Sequence, residues 1–383
     1  MITLLFTDGA LAPIGQPIVR FISVTVTLNF NAPASVTVTL PALPEYLDVA
    51  APGNRLQVIR DGKILVAGPV EYPGVFSWSA DGQAQDATPG LLTVAATDDS
   101  VWLGCRIVYP DPAAVATAQT ATSFYTLTAT NAETAMRSLV NVNAGPGALT
   151  ARRVPNLTLG TLAGVGTSVN VHSRFDVLSD VLRATALAGG GLGYQVVEDG
   201  GSLKFVVFQP PDLSASIRFS RGLGNLRSIQ YTPQAPTSTV AIVGGDGTGT
   251  SRTIVERSNS AAIAAGWGRI ETFVNDNSGD TTDLNQAGDT ALTDAAEQGQ
   301  LVIQAIDTPL VKFGRDYPLG AKVSAEIYPG LDLVNVVRSV IITETKDGEV
   351  VNPQIGTASA SSDPTYVRKL RALDRRLGQL ERT

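Results

Sequence analysis

Few residues in this chain have the types and spacing that chemistry requires. His172 is the only histidine and Cys105 the only cysteine among 383 residues. A hydrolytic triad needs a nucleophile beside an oriented histidine, and a zinc site needs several cysteines or histidines close together. His172 has no such neighbours in sequence. Cys105 lies in DDSVWLGCRIVYPDP among Trp102, Leu103 and Ile107, an apolar setting that predicts a buried thiol and not an activated thiolate. Gly189, Gly190 and Gly191 follow a helical pattern, so they fit a helix stop better than a phosphate cradle, which places its glycines ahead of the helix. The loop GGDGTGTS at 244–251 lacks the lysine of a P-loop and reads as a mobile connection. NDNSGD at 275–280 has the composition of a calcium loop, without the alternating ligand spacing or the glycine at its sixth place. No catalytic residue, cofactor or metal ligand is expected.

The elements that hold these residues are mostly strands. Hydrophobic residues make up 44% of the chain and charged residues 16%, which fits folded domains with real cores. One cysteine excludes an internal disulfide and suits folding in a reducing cytoplasm. No charged start followed by a long apolar run opens the sequence and nowhere do 18 apolar residues follow one another, so neither a signal peptide nor a membrane span is expected. The formal charge is -7, and residues 364–383 alone carry six Lys or Arg against two acids. The preceding body therefore stands at -11, the wrong sign for binding nucleic acid through its phosphates.

In residues 1–110, Val24, Val26, Leu28 and Phe30 alternate with polar neighbours, as do Val36, Val38 and Leu40, and Asp61-Gly62 marks a hairpin between Leu56, Val58 and Ile64, Val66. Residues 111–213 form a mixed insertion. Thr130 and Glu133 read as a capping box ahead of Ala135, Met136, Leu139 and Val140. Ser173 reads as the cap of a central helix with Phe175, Leu178, Leu182 and Ala186 on its main apolar stripe and Val177, Val181, Ala184 and Ala188 on a second, followed by a hairpin about Asp199-Gly200-Gly201. Residues 214–356 return to strands, interrupted by one helix that Asp283 would cap ahead of Leu284, Ala287, Ala291, Leu292 and Ala295, and they end in a hairpin at Asp347-Gly348.

Residues 357–383 comprise a linker and a helix begun by Asp363 and Pro364. Tyr366, Leu370, Leu373, Leu377 and Leu380 step by four and three, which predicts a coiled-coil oligomerisation seam. Lys369 and Arg376 stand five residues before Asp374 and Glu381, a pairing that favours parallel strands.

WLGCRIVYPDP, TNAETAMRSLVNVNAGPGA, RFDVLSDVLRATA, GLGYQVVEDGGSLKFVVFQPPDLSASIRFS, LRSIQYTPQAPTSTVAIVGG and TKDGEVVNPQIG together resemble the minor tail proteins that form the tail-tip or baseplate hub of long-tailed bacteriophages. The resemblance runs over nearly all of residues 1–355. It implies a mainly β, α+β protein with two tail-tube-like β-barrel domains (1–110 and 214–356), the mixed insertion and the terminal coil. It further implies a structural, non-enzymatic hub in the virion tail tip, made in the host cytoplasm. Such a hub is a homotrimer whose partners are tail-tube, distal tail and distal tip or fibre proteins, with genomic DNA passing through unbound and no stable membrane insertion. The alternatives are a glycan- or receptor-binding module, for which Trp78, Trp102 and Trp267 are too scattered to form a platform, and a cell-wall hydrolase.

Overall fold

A computed structural model describes residues 2–51, 53–77, 90–120, 123–247, 249–276, 278–296, 298–306, 308 and 310–356. The coiled-coil seam, Tyr366, Leu370, Leu373, Leu377 and Leu380, lies outside the described residues, as does Trp78.

Strands from both ends of the described chain knit into one 13-stranded sheet. Ser23–Asn29 and Ser35–Pro41 alternate strictly, burying Val24, Val26 and Leu28 and then Val36, Val38 and Leu40. This period-two pattern gives the sheet one dry face. The same strand Ser23–Asn29 pairs antiparallel with Leu331–Thr345, setting Leu28 opposite Val340 and Val26 opposite Ile342, so the buried faces of the two sequence regions are continuous. Sheet order runs open from Leu226–Gln234 at one edge to Pro13–Ile18 at the other. The two separate β-barrel domains expected from sequence are therefore corrected: the strands do not close into a barrel, and β pairing joins the first region to the second.

Not all strands of residues 214–356 enter that sheet. Val240–Gly244 lies between Ile254–Ser258, antiparallel, and Glu271–Asn275, parallel, and the helix Thr281–Ala295 covers one face through Leu284, Gly288 and Leu292. Its cap is Asp280, whose Oδ1 accepts from Thr282 N at 2.7 Å, and not Asp283.

The insertion packs two helices on two small sheets. Ala132–Asn143 buries Ala135, Met136, Leu139 and Val140. Its cap is Asn131, accepting from Thr134 N at 3.3 Å, in place of Thr130. Glu133 is fully buried and accepts from Ala163 N at 2.8 Å and Val165 N at 2.9 Å, tying down a loop where a capping box was expected. The central helix spans Leu178–Ala188 and buries Leu178, Leu182 and Ala186. It begins five residues after Ser173, because Phe175 takes a left-handed backbone (φ 58°) that a helix cannot include. Ser173 instead ends a strand and donates to Asp176 Oδ2. On the second stripe Val181 is half-buried and Ala184 exposed. Gly189 stops the helix where a Cβ would stand 2.3 Å from that of Ala132, and the hairpin Gly193–Asp199 to Ser202–Phe208 turns on Gly200 and Gly201, at φ 60° and 74°.

Candidate functional site

The side chains with chemical potential gather where the three parts of the molecule meet. Arg55, on a strand of the large sheet, points into a buried pocket of acids. Its Nη1 donates to Asp99 Oδ1 at 2.5 Å, and its Nη2 to Asp99 Oδ2 at 2.7 Å and to Glu198 Oε2 at 2.8 Å. Gln57, two residues along and so on the same face, donates to Glu198 Oε1 at 2.6 Å. Glu198 belongs to the insertion's hairpin. The cluster is thus a dry bolt between sheet and insertion, with side-chain exposures of 7% for Arg55, 0% for Asp99 and 6% for Glu198. Burial works against the charge on Arg55, but the bonds and charge of Asp99 and then Glu198 outweigh it and hold the guanidinium ionised. Burial pushes Asp99 upward while Arg55 opposes it; the two-pronged geometry requires a carboxylate. Neighbouring Asp98 is pushed up to about 6 by burial, which the backbone donors of Ala34 and Ser100 (Ser100 N at 3.0 Å) and the Ser100 side chain oppose only in part and the charge of Asp99 reinforces.

A cleft of about 350 Å³ opens beside this bolt, lined by Phe30, Asp98, Tyr194, Glu198 and Phe208. Its floor is a second joint. Asn31, itself left-handed at φ 56°, donates through Nδ2 to Leu192 O at 2.8 Å and accepts from Tyr194 N at 2.9 Å. One side-chain amide thereby pairs with the hairpin as a strand would. Both oxygens of Asp99 and both of Glu198 are engaged by Arg55 and Gln57, so neither carboxylate is free to face the cleft as one of a hydrolytic pair.

The third joint repeats the amide device. Gln286 of the helix Thr281–Ala295 accepts from Asn170 N at 2.9 Å and donates to Asn170 O at 2.6 Å, while Asp283 accepts from Asn170 Nδ2 at 2.7 Å. His172 lies two residues along the same strand. Its ring stacks on Phe124 with centroids 3.9 Å apart, and its buried Nε2 has no hydrogen-bond partner. The cavity there, about 350 Å³, is also lined by Asp276, Asp283 and Asp294. Burial raises Asp276, with the charge of His172 opposing and that of Asp283 adding, and burial likewise raises Asp294. Among the described residues no group of three His, Cys, Asp or Glu side chains is disposed to hold a metal ion. Asp276 and Asp280, from the calcium-like stretch, serve this joint and a helix cap instead.

Cys105 is exposed, contrary to the buried thiol expected. It ends the four-residue helix Val101–Gly104, and Leu103 takes the inward position. The three joints escaped sequence reading, since Arg55, Gln57 and Asn31 sit where a strand's wet face or turn would be read. The one available signal was Arg55, Gln57 and Glu198 interrupting otherwise apolar strands.

The match that decides the family covers residues 2–357 and is to the model described as Siphovirus ReqiPepy6 Gp37-like protein. The chain belongs to that family. The tail-tip family resemblance read from sequence is borne out, and the protein is a structural protein of the phage tail or baseplate, which implies a place in the virion tail. A search of curated proteins found no match. Among solved structures, the fold is similar to the 43 kDa tail protein of prophage MuSo2 from Shewanella oneidensis (12% identity, TM-score 0.55, 92% of this chain and 97% of that one). It is also similar to a tail protein from Neisseria meningitidis MC58 (12%, 0.53, 93% and 96%) and to prophage tail protein gp18 from Listeria monocytogenes EGD-e (10%, 0.53, 97% and 99%). At these identities the likeness is one of fold. Among the described residues no helix is long and apolar enough to cross a membrane.

Proposed function

We propose that this family member is the hub of a phage tail tip: a homotrimeric ring that joins the tail tube to distal tip proteins and borders the passage through which DNA leaves. The observation that supports it most is the family match over residues 2–357, with a fold shared almost end to end with three tail proteins. The joints add physical support, because a part that transmits load needs its lobes fixed, and Arg55, Asn31 and Gln286 fix them through buried or partly buried polar bonds. The seam Tyr366, Leu370, Leu373, Leu377 and Leu380 is the proposed trimer coil. The bordering wall is expected to be acidic, since a basic wall would hold phosphates through many charge contacts; residues 1–363 carry -11. Multi-angle light scattering on the full chain tests the oligomer, with a trimeric mass expected and a monomer contradicting the proposal. Tight, salt-sensitive binding of DNA by the purified protein would contradict the acidic passage.

A further inference from the structure

The cavity beside His172 lies between the insertion and the lobe of the helix Thr281–Ala295. The insertion contributes His172, on the strand Ser168–Ser173, with Ala184 and Thr185 of the central helix. The opposing lobe contributes Asp283 and Ala287 of its helix, and Asp276, whose N donates to Gly244 O at 2.9 Å and so ties that residue to the lobe's own sheet. Stacking on Phe124 at 3.9 Å holds the His172 ring in place, while its buried Nε2 has no hydrogen-bond partner. Asp283 spends one oxygen on Asn170 Nδ2 and the other on Ser278 Oγ, each at 2.7 Å. Asp276 has a backbone donor in Ser278. Burial raises it most, the charge of His172 opposes the rise, and those of Asp283 and Asp176 add to it. The remaining acid on the cavity, Asp294, is exposed, and the charges of Arg183 and Arg338 offset its burial. Arg183 itself pairs with Asp180 at 2.6 Å, and Arg174 lies 4.6 Å from the centre of the Phe124 ring.

His172 and Asp276 thus meet one cavity from its two sides. With one proton between them, either as imidazole and carboxylic acid or as imidazolium and carboxylate, the couple is neutral. With none, Asp276 adds a bare carboxylate beside Asp283 and near Asp176, in a space where burial already disfavours charge. A second proton does no such harm, since the imidazolium then faces those same two acids. We propose that His172 and Asp276 form a proton-operated latch, which holds the insertion to the helix lobe while the couple keeps one proton and lets the two part when that proton is lost. The joined state binds the proton of Asp276 more tightly than the parted state, so the latch is firm near the ordinary aspartate value of 3.8 and loosens as pH rises above that range. Parting at this joint leaves the Arg55 bolt and the large sheet in place, so the helix lobe can move without unfolding of the rest.

The test is hydrogen exchange of the full chain between about pH 5 and about pH 8, corrected for the intrinsic effect of pH on exchange. Protection of Ser168–Ser173 and Thr281–Ala295 should fall at least about fivefold over that range relative to the strand Ser23–Asn29 of the large sheet. Asp276→Asn, neutral at every pH, should keep the protection at the alkaline end and remove the fall. His172→Gln should bring the fall to lower pH, because one seat binds a proton less tightly than two. Protection that is flat with pH in the wild type overturns the latch. A fall that survives Asp276→Asn overturns it as well, since the titrating group is then elsewhere, and so does a loss of protection in that variant that is equal at both ends of the range, which would make the aspartate a packing residue. A fall that His172→Gln leaves at the same pH overturns the couple.

Discussion

Replacing Arg55 by Met tests whether the buried bolt holds the insertion to the sheet. The change keeps most of the side chain's length and removes three charge-assisted hydrogen bonds of 2.5, 2.7 and 2.8 Å. It leaves Asp99, wholly buried, without a counter-charge, and Glu198 with Gln57 alone. Stranding a buried charge in this way costs about 3–5 kcal/mol, a large share of the ~5–15 kcal/mol that stabilises a typical domain. Because the bolt joins two parts, the loss should show first as local opening. Hydrogen exchange in the hairpin Gly193–Asp199 should accelerate, and the urea midpoint should fall. Exchanging all three charges for apolar residues, Arg55→Met with Asp99→Leu and Glu198→Leu, should recover most of the loss, because no charge is then buried alone. A single-variant loss below about 1 kcal/mol, the range of exposed pairs, would refute the reasoning. So would a triple variant as unstable as the single one, which would trace the effect to packing.

Asp98, pushed up to about 6 from 3.8, binds its proton more tightly folded than unfolded, so its contribution is full below about pH 4 and is lost as pH rises through 6. Asp98→Asn should remove on the order of 2 kcal/mol from the fall in stability between pH 4 and 7, read from urea midpoints across that range; an unchanged slope would count against it. Leu182→Ala, at a fully buried site on the central helix, should cost about 2–5 kcal/mol, and a loss under about 0.5 kcal/mol would make that helix peripheral. Leu373→Asp with Leu377→Asp should weaken the oligomer while leaving the circular dichroism of the β sheets intact; an unchanged mass by light scattering would rule out the coil.

What the sequence discloses depends on how local its cause is. Hairpins were legible at Asp61-Gly62 and Gly200-Gly201 because positive φ at both places restricts the residues that serve. Helix cores were legible from the spacing of Met136 and Leu139 or of Leu178 and Leu182, but their first residues were not. The left-handed Phe175 is set by tertiary packing, and Asn131 and Asp280 were overlooked beside equally good caps. The pairing of Val26 with Ile342 leaves no local trace, for alternation says which face is dry and not which strand lies alongside. The same holds for the candidate site, since Glu198 looked like a polar residue on a hairpin until Arg55 was set against it.

The pairing of Ser23–Asn29 with Leu331–Thr345 also fixes the order in which a subunit can be finished. It is a contact of very high sequence separation, the kind that forms late because the intervening loop must close first. During synthesis the early strands wait with one edge open until the strand some 300 residues later arrives, and on the ribosome that edge is exposed to wrong partners for the whole interval. A truncated product would keep the open edge and lack the last strands of the sheet. Completion of the sheet therefore acts as a proofreading step, in which only a chain that carries the last strands covers the edge of Ser23–Asn29.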